Sequence, residues 1–361
     1  MAAINSRVKN GLFLCCLLTI IFSSCSDKGQ SEACHFVDYK SIPSARLDYS
    51  VFNLDTLVIN EDNEPKYMLS EIDKIIYQNG SFFLSDWRHG KVVCFDRKGS
   101  AVLAITKRGR GPQEYLKVSD FDVDHDHRII IMDGQSDRLL VFDKDGSFIH
   151  SLKLPIEAYA FKTLSKGGYI FNLAPWTKGD GEGDKIIVTD DSLKLLSHSI
   201  DYNGIYDSGF SFSSVVFTNS NSFISFNQPI DDNVYVFDND GNHLITYLFD
   251  FGAASVPTKI RKSIEANLSD LEEYSFITNA VYADEHHIIG TLMDKGAYRD
   301  FIIDLDNNIK YLQDIGSNIR LRTVSNGYAI FQDLNNCTTL LVGPVDCILS
   351  AISQLKRKKK N

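Results

Sequence analysis

Phe95-Asp96-Arg97-Lys98-Gly99 returns along the chain as Phe142-Asp143-Lys144-Asp145-Gly146 and as Phe237-Asp238-Asn239-Asp240-Gly241. Weaker copies stand at Thr189-Asp190-Asp191-Ser192 and Ile303-Asp304-Leu305-Asp306. The five leading aspartates fall 47, 47, 48 and 66 residues apart. Each copy follows an apolar, β-branched or aromatic run and supplies turn chemistry. Asp or Asn binds its own backbone, and Gly takes the positive φ of a tight hairpin. A strand-rich unit repeated at about 47 residues is the sequence signature of propeller blades.

Working outward, residues 118–154 give the clearest unit. Val118 to Asp124 alternates apolar and polar, His125-Asp126-His127 turns, and Arg128 to Asp133 is an apolar run. Gly134 to Arg138 loops, Leu139 to Asp143 is a third strand, and Ser147 to Leu154 a fourth. The same template fits 70–106, 158–201, 213–251 and 275–315. A sixth unit starts at Leu321 but lacks a fourth strand. Val51 to Ile59 is a strand without a blade, so an N-terminal strand is expected to complete the last blade and close the ring. The expected fold is all-β: a six-bladed β-propeller of four-stranded antiparallel blades spanning 46–343.

The 66-residue gap marks an insertion. Residues 257–274 place Ile260, Ile264, Leu268 and Leu271 at helical spacing, which predicts a helix packed on the propeller. Residues 344–361 read as a helical or basic tail ending in Lys356-Arg357-Lys358-Lys359-Lys360.

At the other end, Arg7 and Lys9 precede an apolar stretch, Gly11 to Phe22, too short for a membrane span. The pattern predicts a signal peptide over 1–24. Phe22-Ser23-Ser24-Cys25 is similar to a bacterial lipobox, which implies lipid on Cys25 and a tether over 25–45. The membrane is then a partner through that lipid. Cys34, Cys94, Cys337 and Cys347 remain in the mature chain and allow three pairings, which sequence does not choose between. Cys94 lies in an apolar strand and reads as a small buried hydrophobe. Net charge of −10 opposes a general nucleic-acid role.

Gly90-Lys91-Val92-Val93-Cys94-Phe95-Asp96, then Gly109-Arg110-Gly111-Pro112-Gln113-Glu114-Tyr115, then Asp120-Phe121-Asp122-Val123-Asp124 carry a resemblance. Over roughly residues 45–343 the chain resembles the six-bladed β-propeller lipoproteins abundant in Bacteroidetes, which are related to NHL-repeat propellers. The resemblance implies an exported, lipid-anchored propeller in the cell envelope and implies little about activity.

In a propeller the blade-to-blade crossovers and the loops between second and third strands share one face, where ligands of this fold commonly sit. That face is expected to carry Trp87, Arg88 and His89 from the first blade and Arg108, Arg110, Glu114 and Tyr115 from the first crossover. Asp133, Asp137 and Arg138 join from the second blade, Trp176 from a Gly-rich loop of the third, and Tyr298 and Arg299 from the fifth. Aromatic rings beside guanidinium groups suit sugars, peptides or carboxylates. The repeated aspartates, and His125, His127, His286 and His287, fall on the opposite face and read as turn residues.

No catalytic residue is assigned. Gly109 to Tyr115 lacks the Gly-Lys-Ser/Thr ending of a phosphate loop. Gly179 to Asp184 is acidic but lacks the position-12 glutamate of a calcium loop, so no cofactor is assigned and Ca²⁺ is only a weak surface candidate there. The function expected is a monomeric binding or protein-interaction scaffold for a glycan, peptide or partner protein. The alternative is a hydrolase or lyase with a divalent ion in the central channel. Of the inner-strand starts, only Glu71, Asp73 and Asp120 are acidic, a poor cage.

Overall fold

A computed structural model describes residues 33–45, 49–61, 64–202, 204–210, 215–278, 280–306, 308–313 and 317–360. The expected signal peptide, Cys25 and the start of the tether lie outside them. The described residues form six antiparallel sheets arranged as propeller blades. Blade 1 is Lys74–Gln78, Ser81–Asp86, Lys91–Phe95 and Ala101–Ile105. Blade 2 is Asp120–Val123, Ile129–Asp133, Arg138–Phe142 and Phe148–Lys153. Blade 3 is Ala158–Thr163, Tyr169–Leu173, Asp184–Thr189 and Leu195–Asp201. Blade 4 is Phe217–Asn219, Phe223–Phe226, Asn233–Asp238 and His243–Asp250. Blade 5 is Ser275–Ile277 with Tyr282–Ala283, then His287–Asp294, Ala297–Asp304 and Ile309–Gln313. The units read from the repeat are therefore the blades observed.

The turn motif works as its chemistry requires. Asp96 Oδ1 accepts from the backbone N–H of Lys98 and Ser100, at 2.8 and 2.9 Å. Asp143 and Asp238 do the same to the residues two and four further on. Asp190, in a weaker copy, repeats the geometry. Each turn joins the third strand of a blade to its fourth, away from the crossover face.

Ring closure comes from the N-terminus. Blade 6 holds Ile319–Ser325, Tyr328–Asp333 and Thr339–Pro344, and its outer strand is Asp55–Val58, paired antiparallel with Thr339–Pro344. Leu57 and Ile59 are buried there against Leu340 and Val342.

The expected tether needs correction, because Ala33–Asp38 and Ser44–Ala45 within it belong to the sheets. Ala33–Asp38 adds a parallel fifth strand outside His243–Asp250 of blade 4. Ser44–Ala45 pairs in parallel with Ile309–Gln313 of blade 5. The N-terminal segment thus runs along the rim over blades 4 and 5 before closing blade 6. Its composition hid this: in Ala33-Cys34-His35-Phe36-Val37-Asp38 only Val37 is buried, since an outermost strand needs one apolar anchor.

The insertion also differs from the single helix expected. It is one helical turn, Thr258–Arg261, followed by a 3-10 segment, Glu265–Glu273, that breaks at Asn267 (φ −129°). Ile260, Ile264 and Leu271 pack with Ile230, Val256 and Phe276. The break shifts the helical phase, so Leu268 points outward and is 47 % exposed. The C-terminal helix, Val345–Lys360, is present, and Ile348, Leu349 and Ile352 pack on Tyr49, Phe52 and Phe331.

Inner strands are joined by buried polar pegs. Asp122 of blade 2 accepts from Thr163 N–H of blade 3 at 2.8 Å, and Ser325 Oγ of blade 6 accepts from Tyr77 N–H of blade 1 at 3.1 Å. Asp300 of blade 5 accepts from Leu321 N–H of blade 6 (2.8 Å), Tyr49 Oη (3.0 Å) and Thr291 Oγ1 (2.9 Å). Burial outweighs these donors and pushes its carboxyl up to about 6. A carboxyl raised above its unfolded value of 3.8 adds stability that is complete below that value and lost as pH rises through 6. The urea midpoint is therefore expected to be higher at pH 5 than at pH 7.5, with about 1 kcal/mol from this group. Asp300→Asn should shrink that difference, and an unchanged difference would contradict the assignment.

Candidate functional site

A cavity of about 860 Å³ opens on the face formed by the crossovers and the second-to-third-strand loops. Only blades 1 to 4 supply its lining. Trp87, Gln135, Trp176 and Gln228 come from the second-to-third-strand loops, Lys117 and Glu157 from the segments leading into blades 2 and 3, and Tyr159 from the start of blade 3's first strand. Its volume lies within the range of small-ligand sites.

Trp87 is held by carboxylates behind it. Its backbone N–H donates to Asp73 at 2.6 Å, while Asp86 accepts from the N–H of Ser70 and His89. Burial pushes the Asp86 carboxyl up, but those N–H groups and the His89 and Ser70 side chains outweigh it and hold the carboxyl below its usual range. Asp73 has fewer donors, and burial leaves its carboxyl raised. The indole Nε1 of Trp87 is buried with no hydrogen-bond partner among the described residues. Trp176, 40 % exposed, meets Tyr159 edge-on with ring centroids 5.5 Å apart. Its loop is pinned to the lead-in of blade 3, where Ala174 N–H and Thr177 Oγ1 both donate to Glu157 carbonyl.

The floor is an ion pair. Lys74 Nζ lies 2.7 Å from Asp120 Oδ1, both buried, and Asp120 Oδ2 accepts from Phe161 N–H. Burial raises the Asp120 carboxyl even against Lys74.

Of the residues expected on this face, Trp87, Trp176 and Asp137 line the cavity. Arg88, His89 and Arg110 are exposed outside the lining, with His89 Nδ1 2.9 Å from Asp86. Tyr298 is half-exposed on blade 5.

The others serve the scaffold. Tyr115 is wholly buried and its hydroxyl donates to Gly90 and Ile105 carbonyls, at 2.8 and 3.0 Å. Glu114 accepts from Gly111 N–H within the crossover, and Arg108 donates to Leu116 carbonyl. Asp133 is buried and accepts from Leu116 N–H; Arg138 donates to Glu114 carbonyl and Ser136 Oγ. Arg299 is buried on Asp294 and Gln313. The Gly109–Tyr115 element is thus a folded joint between blades, which explains its chemistry without a ligand.

Sequence reading missed Tyr159, Asn172 and Gln228. Tyr159 had a signal: it is the one large residue in Ala158-Tyr159-Ala160, where a strand end meets the crossover face. On the opposite face His286 pairs with Asp306 (3.1 Å) and His287 with Asp284 (3.2 Å), as turn residues. Cys94 is buried, and burial pushes its thiol up to about 11; Cys34, Cys337 and Cys347 are exposed and form no disulfide among the described residues. In the Gly-rich loop Asp184 faces His198 at 2.6 Å and Glu182 faces Lys178 at 3.2 Å.

Among solved structures, an exported protein of Bacteroides fragilis shares the fold at TM-score 0.69 and 15 % identity, covering 86 % of this chain and 99 % of its own. A DUF4221-family protein of Bacteroides vulgatus aligns at TM-score 0.55 and 13 % identity, over 81 % of this chain and 97 % of its own. A virginiamycin B lyase of Staphylococcus aureus aligns only at TM-score 0.46 and 13 % identity, over 79 % and 85 %, too loosely to bear on chemistry. No curated protein sequence matches the chain significantly. Residues 61–353 match the family described as a domain of unknown function, DUF4934. With four-fifths of its length in that match, the chain belongs to the DUF4934 family.

Proposed function

We propose that the protein is a monomeric, extracytoplasmic binding propeller, anchored to a membrane of the cell envelope through lipid on Cys25, that takes its ligand in the cavity over blades 1 to 4. One observation carries the reading. The chain has two tryptophans, and both line this cavity. Large aromatic surfaces kept open on loops of a rigid scaffold are characteristic of ligand sites. The segment from Arg7 to Cys25 supports export and lipidation, and among the described residues no helix is long and apolar enough to cross a membrane.

The alternative of a channel-bound divalent ion and hydrolase or lyase chemistry has less support. Among the described residues no three His, Cys, Asp or Glu side chains converge, and Asp120 is taken by Lys74.

Because both indoles sit in one place, their emission reports on it alone. A screen of saccharides, peptides and divalent salts is expected to find a compound that changes tryptophan emission saturably and raises the melting temperature; saturation at about 100 times Kd adds about 2.7 kcal/mol. A melting shift without an emission change would place the ligand elsewhere. For the anchor, labelling with a fatty-acid analogue should disappear in Cys25→Ala, and persistent label would refute it.

A further inference from the structure

We propose that the cavity over blades 1 to 4 takes a neutral oligosaccharide, stacked on the indoles of Trp87 and Trp176 and hydrogen-bonded by the amides and carboxylates between them. The inference rests on the reading of this cavity as the binding site and adds the ligand's chemistry.

Charge makes the first selection. No guanidinium group that would suit a carboxylate or phosphate lines the cavity: Arg88 and Arg110 are exposed outside it, and three others are bonded within the protein. Arg138 donates to Glu114 carbonyl, Arg108 to Leu116 carbonyl and Arg299 to Asp294. In the lining, Asp120 is neutralised by Lys74, 2.7 Å away. That leaves Lys117 against Asp137 and Glu157, three exposed side chains with a net negative sum. An anion would enter against that field, without the planar fork that binds it best.

Shape and hydrogen bonding make the second. A sugar ring offers an apolar face of C–H groups and a rim of hydroxyls, each both donor and acceptor. The cavity answers with the same division. Trp87, Trp176 and Tyr159 are flat and apolar with a polar tip. Gln135 and Gln228 supply amides that both donate and accept, and Asp137 and Glu157 accept only. The 860 Å³ available exceeds the volume of one sugar ring, so the class is an oligosaccharide.

A peptide bound by strand addition needs an open sheet edge. This cavity presents strand ends and loops, and the free edges lie on the outer rim of the blades. The wall is also pre-set, because the Trp176 loop is tied to Glu157 and Trp87 to Asp73. Little ordering cost is left for binding.

The test uses the purified protein with three probe sets. These are neutral malto-, xylo-, cello- and galacto-oligosaccharides, acidic oligogalacturonates and sulfated oligosaccharides, and proline-rich peptides. The expected result is a saturable emission change with a neutral oligosaccharide, weakened about tenfold by Trp176→Ala and partly recovered in Trp176→Phe. Trp176 is exposed, so loss of folding is not expected, and unchanged melting temperature checks it. Trp87→Phe, which keeps a ring but shrinks its flat surface, is the second variant and should weaken the same sugar. If acidic saccharides or peptides bind while neutral ones do not, the chemistry is overturned and the cavity remains the site. Neutral sugar binding untouched by both substitutions also overturns it. If no set moves the emission, the reading of the cavity falls with it.

Discussion

Gly99→Ala is expected to destabilise the protein far more than Gly146→Ala, although the two glycines occupy the same turn of successive blades. Both have positive φ, +82° and +78°, so both pay about 1–2 kcal/mol for a Cβ in the left-handed region. The difference lies in what the Cβ meets. At Gly146 the nearest atom is Leu103 Cδ1, the end of a flexible side chain. At Gly99 it is the carbonyl oxygen of Val58, far inside contact distance. That oxygen belongs to the strand that closes the ring, and Asn60 N–H donates to Gly99 carbonyl 2.8 Å away in the same contact. Backbone cannot rotate aside as a leucine tip does. The closing strand must shift, exposing Leu57 and Ile59 at about 1.5–3 kcal/mol each. A loss of about 4 kcal/mol or more is expected for Gly99→Ala and about 1–2 kcal/mol for Gly146→Ala. Urea unfolding measures both, and limited proteolysis should cut the N-terminal segment sooner in Gly99→Ala alone. Equal losses would show that closure does not depend on this contact.

The second large effect is expected at Asp122, between blades 2 and 3. Its carboxylate lies 2.7 Å from Lys162 Nζ and accepts from Thr163 N–H and Oγ1 at 2.8 and 2.7 Å. Burial pushes the carboxyl up, but the Lys162 and Lys74 charges and the Thr163 donors outweigh it and keep it below its usual range. Asp122→Ala would strand the Lys162 ammonium in the interior, a loss of about 3–5 kcal/mol. Adding Lys162→Met removes the stranded charge and should return a large share of that loss. The exposed pair Lys166–Asp240 is the control: Asp240→Ala should leave the urea midpoint almost unchanged. A double variant no more stable than Asp122→Ala would rule out the buried charge as the cause.

The blade count was legible because a propeller repeats one local unit, and turn chemistry is local. Asp96, Asp143 and Asp238 bind backbone within four residues, so their role can be read without knowing the rest of the fold. The orphan strand near Val51 was legible for a related reason: its apolar alternation demanded a partner, and blade 6 lacked one. The strap at Ala33–Asp38 was not, since a rim strand buries one side and its polar residues read as a tether. The site was legible only in part. Trp87 and Trp176 were found because crossover-face loops follow from the strand parse. Tyr115, Asp133 and Arg299 stood in the same loops yet turn inward, and nothing local distinguishes a loop arginine that meets solvent from one that meets a buried aspartate.

The sequence by itself determined the six-part repeat, the face on which each loop emerges and the closure of the ring from the N-terminus, because period, turn residues and strand alternation act over a few residues. Only the tertiary structure decided which polar side chains remain for a ligand. That depends on pairings such as Arg138 with Glu114 and Lys74 with Asp120, 24 and 46 residues apart in sequence. Such pairs form only when the blades pack side by side.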